Sequence, residues 1–244
     1  DVLLTARHYG RVAPTKLKTV KHKGLLPLLT SVSEIRHPKG VVAVIAPWNY
    51  PLTLAVSDAI PALLAGNGIV LKPDSQTVLN ALWVVRLLRE AGIPEGLVQV
   101  VVGPGARIGP QMVDKADYLM FTGSTAVGRE LAERCGTRLI SCSMELGGKN
   151  AMLVLADADL DRASEIAVRA CFSNAGQLCI SMERMYIHES IYDAFLAKFV
   201  ERVKAMRLQS GVGWGADMGS LISPKQLNTV TEHVDAALAK GATA

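Results

Sequence analysis

"VVAVIA" at 41–46 is an unbroken apolar run of strand length that ends at Pro47. A strand with one face in water alternates apolar and polar residues, so a continuous run indicates a strand covered on both faces, the usual state of a parallel strand. Four further stretches repeat the pattern: "GIVLK" (68–72), "LVQVVV" (97–102), "YLMFT" (118–122) and "RLISCS" (138–143). Longer amphipathic stretches separate them. In the last of these, Val127, Leu131 and Cys135 recur every four residues and mark one apolar helix stripe. This alternation predicts right-handed crossovers and an α/β fold built on a doubly wound parallel sheet.

Working outward, the pattern restarts beyond Asn150 with "AMLVL" (151–155), a helix beginning near Asp159 and the loop "NAGQLCIS" (174–181), which predicts a second α/β domain. A surface helix over 191–206 carries Ile191, Phe195, Phe199 and Val203 on one face. Upstream, 1–23 reads as a basic helical segment and "GLLPLLTSVSEIRHPKG" (24–40) as an extended arm or hairpin with an apolar edge. Exposed, such an edge would pair with another subunit, so a homo-oligomer is expected. The divisions are therefore 1–23, 24–40, 41–147 and 148–244.

At 244 residues the chain can bury a real core without staples. Its 26 basic and 22 acidic residues give a net charge of +4, but they are interspersed, and only 7–23 is clearly basic. Without interleaved aromatics this segment is not a nucleic-acid platform. Cys135, Cys142, Cys171 and Cys179 lack the short paired spacings of zinc ligands, so neither a metal site nor a disulfide framework is expected. No leader-like start and no uninterrupted span of membrane length is present, and the expectation is a cytoplasmic protein without a membrane partner.

Parallel sheets bind ligands at the carboxyl ends of their strands. Those positions hold "PWNYP" (47–51), "KPDS" (72–75), "GPGARIG" (103–109) and "GSTAVG" (123–128). In "GPGARIG" the third glycine is one place late for a dinucleotide fingerprint, so a phosphate cradle and a plain tight turn both remain open. Gly123 with Ser124 and Thr125 could make an anion site at a helix start or simply cap it. Lys72 must reach solvent or meet an anion, because a buried unpaired ammonium is costly.

A nucleophilic thiolate needs a base or a positive environment. None of His8, His22, His37, His188 and His233 lies in a small-residue loop at a strand end, so a Cys/His hydrolase is unsupported. Glu145 in "MELGGK" (144–149) follows a strand in an apolar setting that would raise its pKa and suit it to general-base work. Taken singly, Cys179 as a packed thiol and Glu145 as a cap or ion-pair partner remain alternatives.

In combination, "PWNYP", "KP", "FTGS", "ELGGK" and "NAGQLC" occur in an order that resembles the aldehyde dehydrogenase superfamily, from about Lys39 to beyond Cys179. The resemblance implies that Cys179 attacks the aldehyde, Glu145 is the general base and Asn49 helps hold the oxyanion. It places the cofactor on Trp48, Asn49, Lys72, Pro73, Asp74, Ser75, Gly123, Ser124 and Leu146. Residues 41–147 would then be a Rossmann-like cofactor-binding domain and 148–244 part of the catalytic domain. Many NAD-preferring members have a glutamate where this chain has Ser75, so NADP is expected, with NAD as the alternative.

Within the superfamily, "LLAGNGIVLKPDSQT" (63–77), "MELGGKNAMLVLADADLDRA" (144–163) and "CFSNAGQLCIS" (171–181) are most similar to NADP-using bacterial succinate-semialdehyde dehydrogenases. That similarity implies oxidation of succinate semialdehyde to succinate through a cysteine thiohemiacetal and thioester. Two positions depart from it: Ser57 and Ser173 stand where better-known semialdehyde enzymes carry arginines for the substrate carboxylate. An arginine elsewhere, or in sequence not present here, must serve, or the aldehyde is uncharged. Members are typically about twice this length, so the expectation is a fragment truncated at both ends, or else a reduced form with a different job. A Cys/Glu esterase or thioesterase-like activity, or an inactive nucleotide-binding or assembly module, are the alternatives.

Overall fold

The computed structural model describes residues 2–26 and 28–243; Asp1, Pro27 and Ala244, which fall in the expected N-terminal, arm and C-terminal segments, lie outside the described residues. The chain forms two compact units, Asp1–Leu146 and Gly147–Ala244. The first unit opens with helix α1 (Val2–Leu17), whose Val2 packs on the core, and strands β1 (Val20–Lys23) and β2 (Ser31–Glu34). The two strands pair antiparallel, so this hairpin includes residues on both sides of position 23. Glu34 receives His22 at 3.3 Å and Arg36 at 2.6 Å. Leu25, Leu26, Leu28 and Leu29 between the strands are exposed.

Five strands follow: β3 (Val41–Ile45), β4 (Gly68–Lys72), β5 (Val98–Val100), β6 (Tyr118–Thr122) and β7 (Ser141–Glu145). They form one parallel sheet in the order β5-β4-β3-β6-β7. Its helices are α2 (Pro51–Val56), α3 (Ala59–Leu64), α4 (Val78–Glu90), α5 (Gly105–Lys115) and α6 (Thr125–Arg138). Successive β3 side chains enter different cores, which explains its unbroken apolar run. Val42, Val44 and Ala46 pack with Ala55, Val56 and Ala59 of α2 and α3 and with Val84 and Val85 of α4. Ala43 and Ile45 pack with Met112 and Val113 of α5 and with Leu131 and Cys135 of α6. Full burial of one such side chain is worth roughly 1.5–3 kcal/mol, so a polar residue at Val44 would cost on that order.

Two sequence expectations shift. The segment read as a strand at 138–143 begins only at Ser141, because α6 runs through Arg138 and ends with Leu139 in the left-handed conformation at φ 56°. Arg138 extends that helix by donating to the carbonyls of Val113 and Ala116, the latter at 2.6 Å. The α6 stripe is also shorter than expected: Leu131 and Cys135 are buried, whereas Val127 is exposed at the strand ends.

The second unit contains β8 (Asn150–Val154), α7 (Leu160–Phe172), β9 (Met182–Ile187), α8 (Tyr192–Lys204) and α9 (Pro224–Ala239). β8 and β9 pair in parallel. Val154, Ala167 and Phe195 form the core, with Phe199 stacked on Phe195 at 6.0 Å and on Phe172 at 6.3 Å. Asp159 caps α7 by accepting from the Asp161 and Arg162 amides at 3.0 and 3.1 Å. Among the described residues no helix is long and apolar enough to cross a membrane.

Candidate active site

The chain builds β3, β4 and β5 outward to one side, then returns to place β6 on the other side of β3. Such a reversal splays the following loops apart and opens a crevice at the strand ends. A cavity of about 330 Å³ occupies that place, reached by residues after β3, β4, β5 and β6. Trp48, Lys72, Asp74, Gly123 and Ser124 line it together. Asn49, Pro73, Ser75 and Leu146 are not in its wall. The glycine loop, which read equally well as a bare turn, contributes Gly105, Ala106 and Gly109. Val127, Glu130 and Leu131 of α6 line it as well and escaped the sequence reading, because their helix periodicity suggested only core and solvent faces.

Lys72 ends β4 with 4% of its surface exposed, pinned in register between Ile45 of β3 and the chain turn that follows. Its Nζ donates to the Pro73 carbonyl at 2.9 Å, and among the described residues no carboxylate forms an ion pair with it. Burial pushes its pKa down, with Asp74 opposing the shift. A side chain on Gly105 would stand 3.8 Å from this ammonium. Asp74 accepts from the Gln76 amide at 2.9 Å, and the Ser75 hydroxyl donates to the Gly103 carbonyl at 3.4 Å. A buried cation with no ion-paired carboxylate among the described residues, beside a glycine and an apolar slot, fits the phosphate and ribose of a dinucleotide.

Gly123 and Ser124 behave differently from one another. The Gly123 amide donates to the Glu145 carbonyl at 3.0 Å, tying the ends of β6 and β7, and any Cβ there would collide with the Phe121 ring. Ser124 caps α6 through a long 3.5 Å bond from the Val127 amide. Leu146 packs into the core beside Gly128, which has no room for a side chain.

Glu145 is exposed, so the apolar enclosure expected for it is missing; β7 is the edge strand of the sheet. Burial pushes the nearby Asp58 carboxyl up, and the Glu145 charge adds to that shift. Asn49, half-buried after β3, accepts from the Tyr50 amide at 3.0 Å. Among the described residues no three His, Cys, Asp or Glu side chains gather as a metal set.

In the second unit Cys179 is the exposed thiol; Cys135 is buried and Cys142 and Cys171 are half-buried. Its loop leaves α7 through Asn174, Ala175 and Gly176, all left-handed, at φ 53°, 56° and 73°. For a non-glycine residue that conformation costs about 1–2 kcal/mol, so surrounding bonds must hold it. The Gln177 amide and side chain both donate to the Asn174 carbonyl, at 3.1 and 2.9 Å, and Gln177 Oε1 accepts from the Ile222 amide at 3.0 Å. Asn150 Nδ2 donates to the Cys179 and Ser181 carbonyls at 2.7 and 2.9 Å. Asn150 was missed from sequence, since an amide at a strand start gives no signal of what it will hold.

The sequence profile of the aldehyde dehydrogenase family matches residues 6–244. A Mycolicibacterium smegmatis protein provisionally named an NADP+ succinate-semialdehyde dehydrogenase is 57% identical over 243 residues, covering 100% of this chain and 47% of that protein. The D-glyceraldehyde dehydrogenase (NADP+) of Picrophilus torridus is 39% identical over 212 residues, covering 86% of this chain and 43% of that one. The structure of Staphylococcus aureus betaine aldehyde dehydrogenase in complex with NAD+ matches with a TM-score of 0.94 at 31% identity, covering 100% of this chain and 48% of that chain. This chain thus spans about half the length of the relatives it matches. With the strand-end cavity, the held cysteine loop and these matches in agreement, the chain belongs to the aldehyde dehydrogenase family.

Proposed function

We propose that the protein oxidises an aldehyde to a carboxylic acid with NADP, with Cys179 as nucleophile and succinate semialdehyde as the aldehyde. The observation that carries this reading is the exposure of Cys179 on a strained, hydrogen-bonded loop, while the other three thiols are buried or half-buried. Attack by its thiolate on the carbonyl makes a tetrahedral alkoxide, a thiohemiacetal. The Asn49 amide and the Cys179 backbone N–H supply donors for that charge. When bound, NADP accepts the hydride whose loss leaves a thioester. Glu145 takes a proton from the water that hydrolyses the thioester and frees the acid.

In this reading the first unit is the cofactor-binding domain and the second is part of the catalytic domain. Trp48, Lys72, Asp74, Gly123 and Ser124 hold the cofactor from the cavity wall, and Asn49, Pro73, Ser75 and Leu146 support them from beside it. Ser75 adds no charge against a 2′-phosphate, and Lys72 supplies one for it. Relatives named for NADP+ support that preference, and the name of the 57% identical relative supports the choice of aldehyde. The exposed leucines of the β1–β2 hairpin support a homo-oligomer, and in this reading the enzyme works in the cytoplasm.

Mixing the protein with NADP and succinate semialdehyde should give a burst of reduced-nicotinamide absorbance that Cys179→Ala abolishes. A burst that survives the substitution would remove Cys179 from its role. A folded chain that gives no burst with any short aldehyde would overturn the dehydrogenase reading.

A further inference from the structure

We propose that Arg169, assisted by Arg202, binds the carboxylate of the aldehyde substrate in a cavity of the second unit. The name substrate rests on the dehydrogenase reading above; the carboxylate site itself does not. A cavity of about 520 Å³ lies between α7, α8 and the chain after α8. Ser173, one of the two serines found in place of an expected arginine, lines it. So do Arg169, one helical turn earlier on α7, and Arg202 on α8. Two guanidinium groups thus share one cavity with Ser173, in a wall that also carries the Glu165 and Asp217 carboxylates.

Their present partners leave them able to act. Arg169 donates through Nη2 to Glu165 at 2.7 Å, an i,i+4 surface pair with 77% of the arginine side chain exposed. Such pairs contribute little, and a guanidinium carries five N–H donors, so a ligand carboxylate can share or displace Glu165. Arg202 is anchored by donation from Nε to the fully buried Ser164 hydroxyl at 3.0 Å, with Asp161 at 3.6 Å from Nη2. Asp217, the other acid in the wall, is occupied by the Arg207 side chain at 3.1 and 3.3 Å and by its amide at 2.9 Å. Phe172 and Met206 add an apolar surface against which a short methylene chain can lie.

The cavity and the thiol share a helix end. The Ser181 hydroxyl donates to the carbonyls of Ala170 and Cys171 at 3.3 and 3.1 Å, folding the Cys179 loop back over the last turn of α7. Gly176 lies against the same turn, where a Cβ would stand 3.6 Å from the Cys171 carbonyl. Cys179, two residues before Ser181, is thus carried by the end of the helix that bears Arg169.

Alkylation of Cys179 tests the site without turnover, because iodoacetate and iodoacetamide differ only in the carboxylate. The rate of Cys179 labelling by iodoacetate relative to iodoacetamide, read by mass spectrometry, should fall about tenfold in Arg169→Gln, the loss of one charged hydrogen bond, and recover in part in Arg169→Lys. An unchanged ratio, or equal slowing by both reagents, would overturn the site, and a melting curve shows that each variant is folded. The ratio of kcat/KM for succinate semialdehyde to that for butanal should fall by the same factor in Arg169→Gln; an unchanged ratio would likewise refute the assignment. An Arg169-dependent labelling preference in a chain that oxidises no aldehyde would defeat the dehydrogenase reading and leave the carboxylate site standing. Oxidation of succinate semialdehyde that is indifferent to Arg169 would do the reverse.

Discussion

Lys72 and Cys179 are both candidate functional residues, yet Lys72 is buried at the end of a central strand and Cys179 is exposed on a loop. The first is held by sheet register: Lys72 pairs with Ile45 of β3, a strand covered by helices on each face. The second is held by a few side-chain bonds, chiefly from Asn150 and Gln177, around three left-handed residues. A site made of strand ends inherits the stability of the whole sheet. A site made of a strained loop depends on each bond that closes it, because releasing the strain favours other loop conformations. Single substitutions should therefore displace functional groups more readily in the second unit than in the first.

The largest effect is expected at Asn150. Asn150→Ala removes two hydrogen bonds from the Cys179 loop, and misplacing a nucleophile by about 1 Å costs on the order of a hundredfold in rate. Stopped-flow measurement of the burst should show that loss with little change in melting temperature. A burst at the wild-type rate would mean that the loop is closed without Asn150, and the contrast between the units would fail.

Lys72→Met should act on binding and stability in opposite directions. Loss of a charged contact should weaken NADP about thirtyfold, measured by titration of tryptophan fluorescence. Burial lowers the Lys72 pKa, so the unfolded chain binds this proton more tightly than the folded one. The resulting penalty is present at neutral pH and shrinks as pH rises through the depressed value toward the ordinary lysine value of 10.5. Ligand-free Lys72→Met should accordingly melt higher than wild type at pH 7, with the gap closing at alkaline pH. A lower melting temperature at pH 7 would show that the Pro73 carbonyl bond outweighs the cost of burial.

The smallest effect is expected beside the cavity. Ser75→Glu should shift the ratio of kcat/KM for NADP over NAD about tenfold toward NAD, through repulsion of a 2′-phosphate. Asp74, which lines the cavity where Ser75 does not, should respond oppositely: Asp74→Asn should favour NADP. Equal ratios in all three proteins would mean that neither side chain faces the 2′ position.

Much of the first unit was legible because a doubly covered parallel strand has no polar alternation to confuse it. "GIVLK" and "YLMFT" coincide with β4 and β6 to the residue. "RLISCS" misled because Arg138 and Leu139 are also acceptable at a helix end, and only the carbonyls of Val113 and Ala116, brought close by α5, decide in favour of the helix. The motifs named their residues equally well but not their surroundings. Glu145 was read as enclosed from its apolar neighbours in sequence, and its exposure follows from the edge position of β7, which is a property of strand order.

By itself, then, the sequence determined the alternation of elements, the loops that carry chemistry and the residue types poised in them, because these depend on local periodicity and composition. Tertiary structure alone decided which strand-end residues share a cavity, that Lys72 is buried and Glu145 is not, that Asn150 closes the Cys179 loop, and that Arg169 and Arg202 line one cavity with Ser173. Each of these is a juxtaposition of residues distant along the chain or set by the packing of whole elements, and such distances are fixed by register and burial rather than by any pattern within one segment.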